Sequence, residues 1–215
     1  MSLRLACDLD GTLADMDSAL LRQAERLFGA GVVLRPEAGE GQRVLTPSQT
    51  RQLWDHLRTV ENFWTTLEEI EPGSVARLAA LRSMHRWEVI FLTRRPPSDG
   101  DTTQLQSQRW LEAHGFELPS VFVMNGSRGK LADALALDAV IDDRPENALD
   151  VTTDSKAKAI LVWRGARDAA PAAAARLGIH TSCSFAEALD LLEQMMARPS
   201  ARQRFLTRVR AAIGL

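Results

Sequence analysis

"LRLACDLDGTLADMD", residues 3–17, joins a short apolar run to four acids. Leu3 to Cys7 has the length and character of a buried strand. Asp8, Asp10, Asp15 and Asp17 follow it on neither a helical nor a strand face. Carboxylates packed this closely repel one another unless a cation sits among them. The stretch therefore asks what the positive partner is, and which of the acids share it.

Similar apolar runs recur downstream. "WEVIFLT" (87–93), "VFVM" (121–124), "AVID" (139–142) and "AILVW" (159–163) make, with the first, a set of about five strands. Helical patterns lie near 73–85, 102–114, 127–136, 145–153, 171–177 and 184–196. This alternation predicts an α/β fold: a Rossmann-like, doubly wound parallel sheet with helices on both faces. Sheets of that kind bind ligands at the carboxyl ends of their strands.

One region does not alternate. "DSALLRQAERLFGAG" (17–31) reads as an amphipathic helix closing on Gly29 or Gly31. "TPSQTRQLWDHLRTV" (46–60) reads as a second, capped by Thr46 or Ser48 with Pro47 in its first turn. No strand is expected between Asp15 and Glu71. The expected division is a core of 1–14 and 72–197, a small helical insertion after the first strand at 15–71, and a basic C-terminal helix or tail at 198–215.

Composition narrows the function. The chain has 215 residues, 45% of them hydrophobic, and a formal charge of −2. That is enough for a sizeable core and gives no global pull toward nucleic acid or membrane. The two cysteines, Cys7 and Cys183, are far apart, and the four histidines are scattered. A reduced cytoplasmic setting is expected, without a structural disulfide or a zinc site. Cys7 reads as a small buried apolar residue. No apolar run approaches a membrane span, and the early acids do not suit a signal peptide.

On the sheet so drawn, Asp8 and Asp10 follow the first strand, Thr93 ends the second, and Asp142 and Asp143 end "AVID". Lys130 lies in "NGSRGK", after "VFVM". All-oxygen ligands at one sheet edge point to a hard cation, Mg²⁺, binding alongside substrate phosphate. Lys130 is the expected second cation, with Arg128 close enough to compete. Asp15 and Asp17 are read as caps of the helix that follows, where acids suit the positive end of the dipole.

"DLDGT" (8–12), "LTRR" (92–95), "GK" (129–130) and "IDDRPEN" (141–147), in this order, resemble the four-part signature of the haloacid dehalogenase superfamily. The likeness covers about residues 3 to 195, with the insertion as cap. It implies phosphomonoester hydrolysis. Asp8 would be the nucleophile and Asp10 the general acid and base. Thr93 would hydrogen-bond the phosphoryl oxygens and Lys130 would neutralise them. The metal ligands would be Asp8, Asp10 through its backbone carbonyl, and Asp143, with Asp142 beside it or acting through water.

Within that superfamily, "NFWTTLEEIEPGSVARLAAL" (62–81), "QRWLEAHGF" (108–116) and "IDDRPEN" are similar to segments of the 5′(3′)-deoxyribonucleotidases. The resemblance implies a nucleotide-like substrate, with Phe63, Trp64 and Met16 as candidates to meet the base; packing of cap on core accounts equally for Phe63 and Trp64. Where those enzymes usually place Ser-Pro after the Thr, this chain has Arg94 and Arg95. Such a pair suits a second phosphate or a carboxylate. "LTRR" through "IDDR" also resembles polynucleotide 3′-phosphatases. A nucleic-acid end and another small phosphorylated metabolite thus stand as alternative substrates. A non-catalytic ligand-binding protein on the same scaffold is the competing class, disfavoured because both Asp8 and Asp10 are present. Oligomeric state is left open.

Overall fold

The computed structural model describes residues 2–34, 43–165 and 173–197. The expected tail helix at 198–215 lies outside them. In chain order the elements are β1 (Arg4–Asp8), α1 (Met16–Phe28), β2 (Val32–Val33), β3 (Arg43–Val44) and α2 (Pro47–Arg58). Then come α3 (Ser74–His85), β4 (Glu88–Thr93), α4 (Thr103–Ala113), β5 (Ser120–Val123) and α5 (Arg128–Ala134). The chain continues with β6 (Ala139–Asp142), α6 (Pro145–Asp154), β7 (Lys158–Val162), β8 (His180–Ser182) and α7 (Phe185–Ala197).

Six strands form one sheet in the order β5-β4-β1-β6-β7-β8, and every pairing in it is parallel. Alternate residues point to opposite faces. Leu5, Cys7, Val89, Phe91, Ile141, Ile160 and Val162 belong to one apolar cluster, while Ala6, Leu92, Val140, Ala159 and Leu161 belong to the other. Both faces are thus covered, as the near-continuous apolar runs require of parallel strands. β8 escapes sequence reading because His-Thr-Ser is too short and polar to carry a pattern. In the expected helix at 171–177, the described part holds a single 3-10 turn, Ala175–Leu177.

The segment after β1 leaves and rejoins the sheet at one point. The Asp15 N–H donates to the Glu68 carbonyl at 2.9 Å, and the Ile70 N–H donates to the Leu13 carbonyl at 2.8 Å. α1 starts where the Asp15 carboxylate accepts from the Ser18 N–H, and it ends at Gly29, whose φ of +87° favours glycine. α2 opens on a reciprocal capping box between Thr46 and Gln49, with Pro47 in its first turn. Leu20, Ala24, Leu53 and Leu57 pack into the cluster that covers one sheet face. Contrary to the expectation of an all-helical segment, β2 and β3 pair here in parallel. Two residues per strand leave no period-2 signal to read.

Glu71 locks the return of this segment to the core. Its carboxylate accepts from the Phe185 N–H (2.7 Å), the Ala186 N–H (3.0 Å) and Arg164 Nη2 (2.8 Å). Burial alone would raise the carboxyl, but these bonds outweigh it and hold Glu71 below its usual value. A depressed carboxylate stabilises the fold above its unfolded pKa and stops doing so as pH falls through its folded one. Glu71→Gln is therefore expected to cost about 1–3 kcal/mol near neutral pH. The deficit against wild type should shrink below about pH 4, which thermal melts at both pH values would read.

Candidate active site

Parallel strands bring their carboxyl ends to one edge. Asp8 ends β1, and its immediate neighbours end in Thr93 (β4) and Asp142 (β6). Asp143 follows Asp142, and Arg128 opens α5 beyond β5. Gly11 turns the chain after Asp10 with a φ of +85°, and a side chain there would collide with the Asp143 carboxylate. Thr12 reaches back toward Asp143, with its Oγ1 3.5 Å from Oδ1.

Asp8, Asp142 and Asp143 place carboxylate oxygens within 4.8 Å of one another. At an effective dielectric of about 20, each ionised pair at that range repels by roughly 3 kcal/mol. Arg128 lies between two of them. It is 1% exposed, and its Nη2 is 2.7 Å from Asp8 Oδ1 and its Nε 3.8 Å from Asp142 Oδ2. Arg128 is the close cation for these acids, with Arg144 and Arg164 acting on Asp142 and Asp143 from farther off, so the carboxylates outnumber the guanidinium in contact with them. Burial, and next Asp142, drives the Asp8 carboxyl well above its ordinary value, with Arg128 pulling the other way. Burial and Asp142 also push Asp143 up to about 7. A hard divalent cation fits this site: the donors are all oxygen, the acids outnumber the cation in contact with them, and Gly11 keeps the approach to Asp143 open.

Asp142 is differently placed from its neighbour. Its oxygens accept from Asn147 Nδ2 at 3.0 and 2.9 Å and from the Arg144 N–H at 2.9 Å. With its lone pairs engaged by protein donors, Asp142 orients Arg128 and Asn147, whereas Asp143 lines the cavity.

Asp10 faces a separate set of groups. Its carboxylate accepts from Thr93 Oγ1 at 2.8 Å and from Arg95 Nε at 2.8 and 3.1 Å. Arg95 Nη2 lies 2.7 Å from Asp10 Oδ1. The first acid pair of the sequence is thus split: Asp8 turns toward Arg128 and the acid cluster, and Asp10 toward Arg95 and Thr93.

A cavity of about 440 Å³ opens over these groups, lined among others by Asp8, Asp10, Asp143, Arg128, Met16 and Trp54. Arg94 is exposed at this cavity, and Arg95 is buried in its wall. Lys130, expected against Asp8, has an exposed side chain and does not line the cavity. Residues two apart on a helix point nearly opposite ways, so with Arg128 turned inward Lys130 faces out. Phe63 and Trp64 are each 1% exposed, pack edge to face with centroids 4.9 Å apart, and do not line the cavity either. Of the two readings open for them, contact with a base and packing of cap on core, their burial fits the second. Cys7 is buried on the opposite side of the strand pleat from Asp8, and burial raises its thiol.

Sequence reasoning missed Trp54, Arg144 and Asn147, and ranked Arg128 behind Lys130. Ser127 carried the missing signal for Arg128. Its hydroxyl caps the Lys130 N–H, which fixes the start of α5 at Arg128 and so decides which basic residue turns inward.

A comparison with families matches residues 2–164 to one described as 5′ nucleotidase, deoxy (Pyrimidine), cytosolic type C protein. No curated protein matches the chain by sequence. Among solved structures, a HAD family hydrolase from Deinococcus radiodurans R1, with bound phosphate and sodium, shares 19% identity at a TM-score of 0.57, over 90% of this chain and 96% of that one. A hydrolase from Pseudomonas syringae shares 18% at 0.52, over 90% and 99%. A dehalogenase, in a structure with an intermediate complex, shares 13% at 0.55, over 88% and 97%. At these identities the likeness is one of fold, and that fold serves more than one reaction. With the parallel sheet and the acid edge in place, the match over residues 2–164 decides the family: the chain belongs to the cytosolic type C 5′-nucleotidases and is an enzyme of the phosphatase type on the haloacid dehalogenase fold.

Proposed function

We propose that this chain is a Mg²⁺-dependent phosphomonoesterase acting on nucleotide-like small molecules through an aspartyl-phosphate on Asp8. One observation carries the reading: Asp8 ends the central strand, gripped by a buried arginine, inside an acid cluster that faces a cavity. The cavity has the volume of a small-ligand pocket. Trp54 and Met16 offer apolar surface for a base, and Arg94 and Arg144 offer charge near the phosphate. Residues 15–71 act as a cap that carries Trp54 and Met16.

The chemistry follows from the residues. An Asp8 oxygen attacks phosphorus, the ester P–O bond breaks, and Asp10 delivers its proton to the departing oxygen. Asp10, now ionised, takes a proton from water as that water attacks phosphorus. The acyl phosphate cleaves, and inorganic phosphate and the Asp8 carboxylate are released. Arg128 meets charge on the Asp8 side of the phosphoryl group, the part that sequence had given to Lys130. Asp8 and Asp143 would hold the magnesium ion, which supplies charge neutralisation at the phosphoryl oxygens when bound.

A substrate panel tests the reading. Turnover of p-nitrophenyl phosphate should vanish in EDTA and return with Mg²⁺. Nucleoside 5′- or 3′-monophosphates should exceed sugar phosphates and a 3′-phosphorylated oligonucleotide in kcat/KM. Turnover that survives removal of divalent ions, or a clear preference for the oligonucleotide, contradicts it.

A further inference from the structure

Arg95 was expected to touch substrate, yet its surroundings are those of a built support. Its side chain is buried, and Nη1 donates to Ser107 Oγ at 3.1 Å. The Ser107 hydroxyl in turn donates to the Thr103 carbonyl in α4 at 2.8 Å. The guanidinium carbon lies 5.2 Å from the Trp64 ring centre and 5.9 Å from that of Trp110. Both indoles are pinned: Trp64 Nε1 donates to the Pro96 carbonyl at 2.9 Å and Trp110 Nε1 to the Leu67 carbonyl at 2.7 Å. The Arg95 N–H donates to Thr93 Oγ1 at 3.2 Å, the hydroxyl that itself donates to Asp10. The guanidinium is thus held from several sides, with Nε hydrogen-bonded to Asp10 and Nη2 ion-paired with it.

We propose that Arg95 is a positioning residue for Asp10: with Thr93 it sets the direction of the Asp10 carboxylate, and it acts on proton transfer only through that carboxylate. A planar fork set against two pinned indoles fixes an acid's orientation as a flexible ammonium does not. The proposal gives Arg95, which departs from the Ser-Pro usual after the second-motif Thr, a role other than the substrate contact expected from the charge of the Arg pair. It rests on the phosphatase reading above.

The test compares two leaving groups. An alkoxide departing from a nucleoside monophosphate needs a proton, whereas p-nitrophenolate departs readily without one. Arg95→Met, which keeps apolar bulk between the indoles, should lower kcat/KM for a nucleoside monophosphate about 100-fold, within the range of general acid catalysis. It should lower kcat/KM for p-nitrophenyl phosphate by less than about 5-fold. In an Asp10→Asn background the same change should add less than about 2-fold. Ser107→Ala, which only frees Nη1, should show the same leaving-group dependence at smaller size and keeps the test open if Arg95→Met folds poorly. Equal losses on both substrates, carried in KM and additive with Asp10→Asn, would make Arg95 a phosphate-binding residue and overturn the proposal. The phosphatase reading fails separately, if wild-type turnover of p-nitrophenyl phosphate does not require Asp8.

Discussion

Asp8→Asn is expected to lower kcat by about 10⁴-fold or more, the scale of loss when a covalent nucleophile is removed, while the fold survives. The amide cannot attack phosphorus, and no other carboxylate stands where Asp8 does. Asp10 is held by Thr93 and Arg95, and Asp142 is saturated by Asn147 and the Arg144 N–H. Stability should move the other way. Burial and the neighbouring acids raise the Asp8 carboxyl in the folded chain. A raised carboxyl costs nothing at low pH, where it is protonated in both states. It costs progressively more as pH rises from the unfolded value toward the folded one. In EDTA, Asp8→Asn should therefore melt no lower than wild type at pH 8, with its advantage shrinking toward pH 4. A variant that loses activity and also unfolds at pH 8 would mean that Asp8 is needed for structure.

Arg128→Ala carries the second large effect. Its guanidinium is buried between Asp8 and Asp142, its charged partners within 4 Å among the described residues. Removing it strips the acid cluster of its protein cation, which costs about 3–5 kcal/mol of stability where a buried pair is broken. Loss of a fixed charge beside the phosphoryl group lowers kcat/KM by about 10²–10³-fold. Mg²⁺ should recover part of the stability and little of the rate. Lys130→Ala is the comparison: its side chain is exposed and away from the cavity, so its loss should be at least about 10-fold smaller than that of Arg128→Ala. The reverse order in steady-state kinetics would return the role to Lys130.

The sheet was legible because buried parallel strands are written as uninterrupted apolar runs, each followed by a polar turn. Knowing where β1, β4 and β6 end was enough to bring Asp8, Thr93 and Asp142 side by side. The side chains beyond the strand ends were harder. Arg128 and Lys130 both lie at the start of one helix, and a shift of helix start exchanges which of them faces inward. Arg94 and Arg95 form one dipeptide in sequence, but a strand end sends alternate residues to opposite sides. Arg95 turns into the indole pair and Arg94 toward solvent. Phe63 and Trp64 could be read equally as ligand-stacking aromatics or as cap packing, because composition does not distinguish a cavity wall from a core. Trp54 went unread because nothing in the α2 sequence sets it apart from the buried Leu53 and Leu57 beside it, yet it lines the cavity.

The central claim is that the phosphoryl group passes through Asp8. Asp10→Asn protein should be mixed with ³²P-labelled substrate and Mg²⁺, quenched in acid within milliseconds to seconds, and digested for peptide mapping. The account predicts a stoichiometric, base-labile label on the peptide containing Asp8, because the nucleophile is intact and the group that activates water is gone. Phosphate released with no protein-bound label at any time, or a label that persists in the Asp8→Asn, Asp10→Asn double variant, would contradict it.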